Sequence, residues 1–331
     1  MRILAAVDKF RGTVTAHEVA SAIGDACWDL GHEVIELPLA DGGEGLLEVF
    51  GGPNRTTIVT GPLGAPVEAG WRHVGRTAII EMARASGLVL AGGPSENRPL
   101  DATTTGVGEL IVTAVAAGAK RIIVGLGGSA TTDGGLGAIQ AIGSPGRIAG
   151  VDLRIACDVT TRFSDAASVF GPQKGATPAQ VDLLRRRLDR LAQQYEENFG
   201  IDVSEIDGSG AAGGLAGGLM AIGGRIEPGF DLVADEAGLY DHLEGTDLII
   251  TAEGHLDAQS FEGKVVGGVA DIASENHIPV AVICGIADDD VVSRLPTLSI
   301  SERFGLEKAM TEPRRCIAEA ARELISRYST R

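Results

Sequence analysis

Apolar positions along this 331-residue chain fall into short runs and 3–4-spaced series that alternate from the first residues onward. Residues 2–7, RILAAV, make an apolar run of strand length, and Ala16, Val19, Ala20, Ile23, Ala26, Cys27 and Leu30 keep one face of a helix over 16–30 apolar. Thr15 and Glu18 form a capping box at its start. A second strand over Glu33–Pro38 leads into DGGEG at 41–45 and another helical run, so the chain opens as a parallel sheet would. Residues 56–82 break the pattern with short strands and Gly-Pro turns, which predicts an antiparallel meander and a different sheet.

Beyond the meander the spacing predicts helix 103–117, strand 121–125, helix 133–142 and strand 152–157. A helix over 178–199 has Thr177 as cap, Pro178 in first position and Gln180 completing a capping box. Its Arg185-Arg186-Arg187 run lies opposite Val181, Leu184, Leu188 and Leu191 and reads as a solvated face. The segment GAAGGLAGGLMAIGG at 210–224 reads as a glycine-opened helix, with Gly214 and Gly218 spaced for close packing. From Asp247, strand DLIIT, a helix around 264–274, strand PVAVIC and a helix from Pro313 to Tyr328 restore the alternation. The pattern predicts an α/β fold in two domains: a Rossmann-like parallel-sheet domain from residues 1–55 and 240–331, and an inserted mixed-sheet α/β domain over 56–239. The active site is expected in the cleft between them.

Composition narrows the picture. Hydrophobic residues make up 44% but aromatics only 4%, so the core must be layered from Val, Ile, Leu and Ala. The 47 glycines gather at loop and helix starts, where they act as punctuation rather than as a flexible linker. A formal net charge of −17 argues against nucleic acid and anionic membranes as partners. An anionic ligand would need local cations, each contributing on the order of 4 kcal/mol of Coulomb attraction at about 4 Å before desolvation. Cys27, Cys157, Cys284 and Cys316 lie far apart without metal-ligand spacing, so reduced thiols are expected. MRILAAVDKF turns charged at Asp8 before any signal-peptide core, and no apolar run approaches 18 residues, which together predict a cytoplasmic protein.

The chemistry sits in loops after strands, where open α/β sheets bind ligands. LGGSATTDGGLG at 126–137 follows the apolar run 121–124 with five glycines, three hydroxyls and Asp133. Its glycines permit close approach, N–H groups at the following helix start favour an anion, and Ser129, Thr131 and Thr132 can donate to phosphate or carboxylate oxygens. Asp8-Lys9-Phe10-Arg11-Gly12-Thr13 puts a carboxylate, two cations and a hydroxyl after the first strand. Asp41-Gly42-Gly43-Glu44 offers two carboxylates for a metal or a hydroxyl, or simply for pairing with a helix dipole. Thr251-Ala252-Glu253-Gly254-His255-Leu256-Asp257 reads as a fourth loop, with Lys264 at the helix start beyond it. Cys157-Asp158 closes another strand, and the Gly-bracketed Lys174 suits phosphate.

Acids, lysines and anion-cradling loops together suit phosphoryl transfer with Mg²⁺ between phosphates. No GxxxxGK[ST] loop exists, since Glu262-Gly263-Lys264-Val265 lacks the hydroxyl and the upstream glycine. Gly125-x-Gly127-x-x-Ala130 matches a relaxed dinucleotide fingerprint, but no acid follows about 20 residues on, which counts against an oxidoreductase.

The motif set resembles the bacterial glycerate kinase type-1 family, two-domain α/β enzymes that phosphorylate D-glycerate with ATP. The likeness runs through DKFRGT (8–13), PLADGGEG (38–45), TTTGVGELI (103–111), GGSATTDGGLGAIQAIG (127–143), ACDVT (156–160), VFGPQKGAT (169–177), GAAGGL (210–215) and ITAEGHLDAQSFEGKV (250–265). Against the family's common DSFKGS, Lys9 replaces a serine and Arg11 a lysine; against GGSATNDGG and ITGEGRIDGQT, Thr132, Ala252, His255 and Ala258 are departures. The segment from Thr161 and the part after Cys284 are shortened.

The resemblance implies an ATP- and Mg²⁺-dependent kinase making 2-phospho-D-glycerate, with 3-phosphoglycerate as the alternative product and a non-catalytic sugar-acid-binding homologue as the alternative role. It implies a monomer or homodimer acting on small molecules. Asp133 or Asp8 is then the group that deprotonates the hydroxyl. Lys9, Arg11, Ser129 and Thr131, with Gly127, Gly128 and Asp41, hold glycerate or the transferred group. Lys174, Lys264, Gln173, Gly213 and Gly214 meet the nucleotide, and Asp41, Glu253 and Asp257 hold Mg²⁺ or its water shell.

Overall fold

The computed structural model describes residues 1–329. Its strands in chain order are β1 (Arg2–Val7), β2 (Glu33–Pro38), β3 (Arg55–Thr60), β4 (Pro66–Val74), β5 (Thr77–Glu81), β6 (Arg121–Gly125), β7 (Asp152–Ala156), β8 (Arg225–Glu227), β9 (Leu248–Leu256), β10 (Val280–Ala287) and β11 (Thr297–Ser299). The chain forms two compact units, one of residues 1–41, 48–50 and 229 onward, the other of residues 42–47 and 51–228.

The first unit is built on a fully parallel sheet in the order β11-β10-β9-β1-β2. Both faces of that sheet are covered, which is why its strands are near-continuous apolar runs. Ile3, Ala5, Val7, Ile250 and Ile283 pack with Val19, Ile23, Ile317 and Leu324 from helices Ala16–Asp29 and Pro313–Ser329. On the other face Val282, Cys284 and Leu256 pack with Val266 of helix Val265–Glu275. The capping box is formed: the Thr15 hydroxyl accepts from Glu18 N at 3.2 Å, and Glu18 Oε2 accepts from Thr15 N at 2.8 Å. Such a cap stabilises a helix by about 1 kcal/mol.

One expectation fails here. Instead of the loop expected over 251–257, β9 continues to Leu256, because Glu253, His255 and Leu256 pair in register with Cys284, Ile286 and Ala287 of β10. Pairing with a neighbouring strand overrides the weak strand preference of glycine and glutamate.

The second unit carries a mixed sheet in the order β3-β4-β5-β6-β7-β8. β3, β4 and β5 form the antiparallel meander, and from β5 to β8 every pairing is parallel. The helix predicted over 133–142 spans only Leu136–Ile142, since Gly134 and Gly135 have φ of 66° and 78° and cannot belong to a right-handed helix. Likewise helix Ala211–Ala221 opens with Ala212, Gly213 and Gly214 in left-handed conformation. Gly218 then packs on the 133–137 turn so closely that a Cβ there would lie 2.5 Å from Gly134 O. In helix Pro178–Phe199, Leu184 and Leu188 are buried while Arg185, Arg186 and Arg187 are exposed. No helix among the described residues is long and apolar enough to cross a membrane.

Candidate active site

In the first unit the chemistry gathers at the carboxyl ends of β1 and β9. Asp8 N donates to Ala252 O at 2.9 Å, carrying the pairing of β1 with β9 one residue past the strand. The Asp8 carboxylate accepts from Lys9 N at 2.7 Å and lies 3.7 Å from the Lys9 ammonium. Reciprocal backbone bonds between Phe10 and Val14 close a tight loop that exposes Arg11. Burial pushes the Asp8 carboxyl up to about 6, with the Lys9 ammonium opposing and the charge of Asp41, after β2, adding to the rise. Burial likewise pushes Glu253 up to about 7; a Ser260 hydrogen bond and Lys264 oppose, while Asp8 and Asp257 reinforce. Glu253 Oε1 is buried without a hydrogen-bond partner.

The neighbouring predicted residues have more local tasks. Asp257 Oδ1 accepts from Ser260 N at 3.0 Å and from its hydroxyl at 3.2 Å, capping the turn Ala258–Phe261. His255 is exposed and bonds to Asp288 at 2.8 Å. Lys264 is the half-buried cap residue of helix Val265–Glu275.

In the second unit the loop after β6 is pinned by Leu88 N donating to Gly128 O at 2.8 Å and Ala130 N to Ser86 O at 3.0 Å. Its open part is short: Gly128 is exposed, and Gly127 and Ser129 are half-buried. Thr131 and Thr132 turn inward, and their hydroxyls are buried without partners.

Asp133 takes four donors: Thr104 N and Thr104 Oγ1 at 2.8 Å each, and Gly135 N and Gly137 N at 3.2 Å. The helix-start N–H groups expected to meet an external anion are therefore occupied by the loop's own carboxylate. Burial still drives the Asp133 carboxyl up, against those four bonds.

Lys174 is also placed otherwise than expected. It is 2% exposed, its Nζ donates to Thr131 O at 2.6 Å, and burial lowers its pKa to about 7 with Asp133 opposing. Gln173 beside it is exposed. Gly213 and Gly214 are buried and packed against backbone: a Cβ on Gly213 would lie 2.0 Å from Thr131 O, and one on Gly214 2.8 Å from Gly134 Cα.

Three further residues, of which only Thr104 lies in one of the family motifs, complete this unit. Glu81, at the end of β5 and 5% exposed, accepts from Gly45 N at 3.0 Å, Leu47 N at 2.9 Å and Arg84 Nε at 3.2 Å, so it holds the end of the DGGEG turn. Thr104 joins Asp133 to Ala138 N, whose N–H it accepts at 3.0 Å. Asn97 Nδ2 bridges Ala130 O and Lys174 O. An acid closing an apolar strand could have flagged Glu81; nothing local marks Asn97.

Among the described residues no three His, Cys, Asp or Glu side chains stand in a metal-holding group, so Asp41, Glu253 and Asp257 are not an assembled ligand set. Glu253 nevertheless fits a hard cation, because its unpartnered Oε1 lies in the field of Asp8 and Asp257. Mg²⁺ commonly takes one or two protein carboxylates and completes its shell with water and phosphate. Lys264 and the Gly127–Ser129 segment are open to solvent, whereas Lys174, Gly213 and Gly214 are enclosed.

The model of the glycerate kinase family matches residues 3–146 and 143–330. The chain is 40% identical to the glycerate 2-kinase of Escherichia coli K12 over 88% of its length and 87% of that protein. It is 39% identical to the glycerate kinase of Bacillus subtilis 168, covering 88% of this chain and 86% of that one. A crystal structure from Salmonella typhimurium LT2, provisionally named glycerate kinase 2, superposes with a TM-score of 0.88 at 35% identity, covering 100% of this chain and 98% of the other. With both units matched in sequence and in fold, this chain belongs to the glycerate kinase family.

Proposed function

We propose that this protein transfers the γ-phosphoryl group of ATP to the 2-hydroxyl of D-glycerate. The observation that carries the reading is the Asp8–Lys9 pair at the carboxyl end of β1, in a chain of this family. A carboxylate whose proton affinity is raised toward neutrality can accept a hydroxyl proton as the phosphoryl group transfers, and it is most effective with a pKa near the working pH. Asp8 meets that requirement, whereas the oxygens of Asp133 already take four donors. Lys9 and Arg11 supply the local positive charge that a small carboxylate needs on a chain of net charge −17. Ser129 Oγ and the backbone of Gly127 and Gly128 hold the oxygens of the transferred group, and Lys264 meets the nucleotide phosphates. Glu253 and Asp41 would hold Mg²⁺ arriving with the nucleotide, which would there neutralise phosphate charge. The assignment to the 2-hydroxyl follows the Escherichia coli relative, and four buried, unpaired cysteines fit a reducing cytoplasm. We take the enzyme to work as a monomer or homodimer.

ADP release with Mg·ATP and D-glycerate, against L-glycerate and acceptor-free controls, tests this reading. Turnover confined to D-glycerate is expected. Binding of D-glycerate without ADP release, or release independent of the acceptor, would sink it.

A further inference from the structure

Lys174 and Asn97 form a buried construction that none of the proposed contacts uses. Asn97 is 8% exposed, and its Nδ2 donates to Ala130 O at 3.0 Å and to Lys174 O at 2.8 Å. One amide group thus spans the loop after β6 and the turn Pro172–Lys174. From that turn the Lys174 ammonium reaches back to Thr131 O at 2.6 Å. Two consecutive loop carbonyls, those of Ala130 and Thr131, are therefore each tied to a buried side chain. Ala130 N is tied as well, to Ser86 O.

The arrangement is costly. A buried ammonium loses its hydration, and Asn97 Oδ1 and the Thr131 hydroxyl remain buried without partners. An apolar side chain in place of Lys174 would commonly be as stable. The charge within reach of Lys174 is Asp133, the residue that anchors the far end of the same loop, and the Phe170 ring lies 5.8 Å from Nζ. With 2% exposure the ammonium faces loop backbone and not an open subsite.

We propose that Asn97 and Lys174 are positioning residues: by fixing the carbonyls of Ala130 and Thr131 they set the direction of the Ser129 hydroxyl and the Gly127–Gly128 backbone toward the transferred phosphoryl group. The inference rests on the reading of that loop given above. It replaces the direct phosphate contact expected of Lys174 with an indirect one.

The test compares wild type, Asn97→Ala, Lys174→Met and the double variant by steady-state kinetics, thermal melts and amide hydrogen exchange across 127–130. A displaced loop is expected to lower kcat by about 100-fold in each single variant, with KM for D-glycerate within about 3-fold of wild type. The double variant should lose little more than the worse single one, because both release the same loop. Exchange at 127–130 should quicken in both single variants. A kinetic loss in Lys174→Met alone would mean that the ammonium acts on phosphate directly and would overturn the proposal. So would lowered melting temperatures with kcat unchanged, or unaltered exchange. If Lys174→Met does not fold, Asn97→Ala decides by itself. Absence of wild-type turnover would reject the kinase reading, while the exchange data would still judge the clamp.

Discussion

Asp8 and Asp133 are the same chemical group in different surroundings. Four donors fix Asp133 between the starts of helices Thr105–Ala116 and Leu136–Ile142, where its oxygens take up backbone N–H groups that the helix starts leave without intrahelical partners. Thr104→Val removes one of those donors and the acceptor for Ala138 N, and we expect it to cost about 1–3 kcal/mol in denaturant unfolding. Asp133→Asn should likewise lower stability without displacing the acid limb of the pH–rate profile.

Asp8 behaves differently because its carboxyl titrates near 6 rather than at the ordinary 3.8. In the proposed role of proton acceptor it must be ionised, so kcat/KM should rise with pH through about 6 and level off above it. The stability effect has the opposite sign. Folding favours the protonated acid, so its contribution is full below about 4 and is lost as pH rises through about 6. At pH 8 Asp8→Asn should therefore gain up to about 3 kcal/mol of stability while losing about 100-fold or more in kcat. A variant that keeps its activity would remove Asp8 from the proton-accepting role.

Among the elements, the contact between helix Ala211–Ala221 and the 133–137 turn admits no added atoms. A Cβ on Gly218 would meet Gly134 O at 2.5 Å, and backbone cannot yield as a flexible side chain would. Gly218→Ala should cost about 1–3 kcal/mol in unfolding measurements and should also lower kcat, since it displaces the turn that carries Asp133.

Legibility followed from how local each signal was. Capping boxes at Thr15 and Thr177, the meander over 55–81 and the glycine-opened helix were readable because turn and cap chemistry acts within a few residues. β9 past Thr251 was not, because β10 and not the residues themselves makes it a strand. The loop after β6 was visible as polar and glycine-rich, yet the occupation of its N–H groups by Asp133 depends on Thr104, 29 residues away. The inward turn of Lys174 depends on Thr131, 43 residues away. Residue type marks the candidates along the chain; packing decides which of them are enclosed and which stay open.

For the whole molecule, a net charge of −17 must coexist with two anionic substrates. The diffuse field opposes their approach, and in the proposed site Lys9, Arg11 and Lys264 counter it at short range. Raising ionic strength from about 0.01 M to 0.15 M shortens the screening length from about 30 Å to 8 Å, so KM for Mg·ATP should fall or hold over that range. A steep rise in KM would mean that long-range attraction, and not local contact, captures the nucleotide.

Phosphorus NMR of the product from D-glycerate and Mg·ATP reads which oxygen of glycerate has formed the bond to phosphorus. Transfer to the 2-oxygen gives a phosphomonoester signal coupled to the single proton on carbon 2. A signal coupled to the two protons on carbon 3 would contradict the assignment of the acceptor hydroxyl, and no phosphomonoester at all would contradict the kinase.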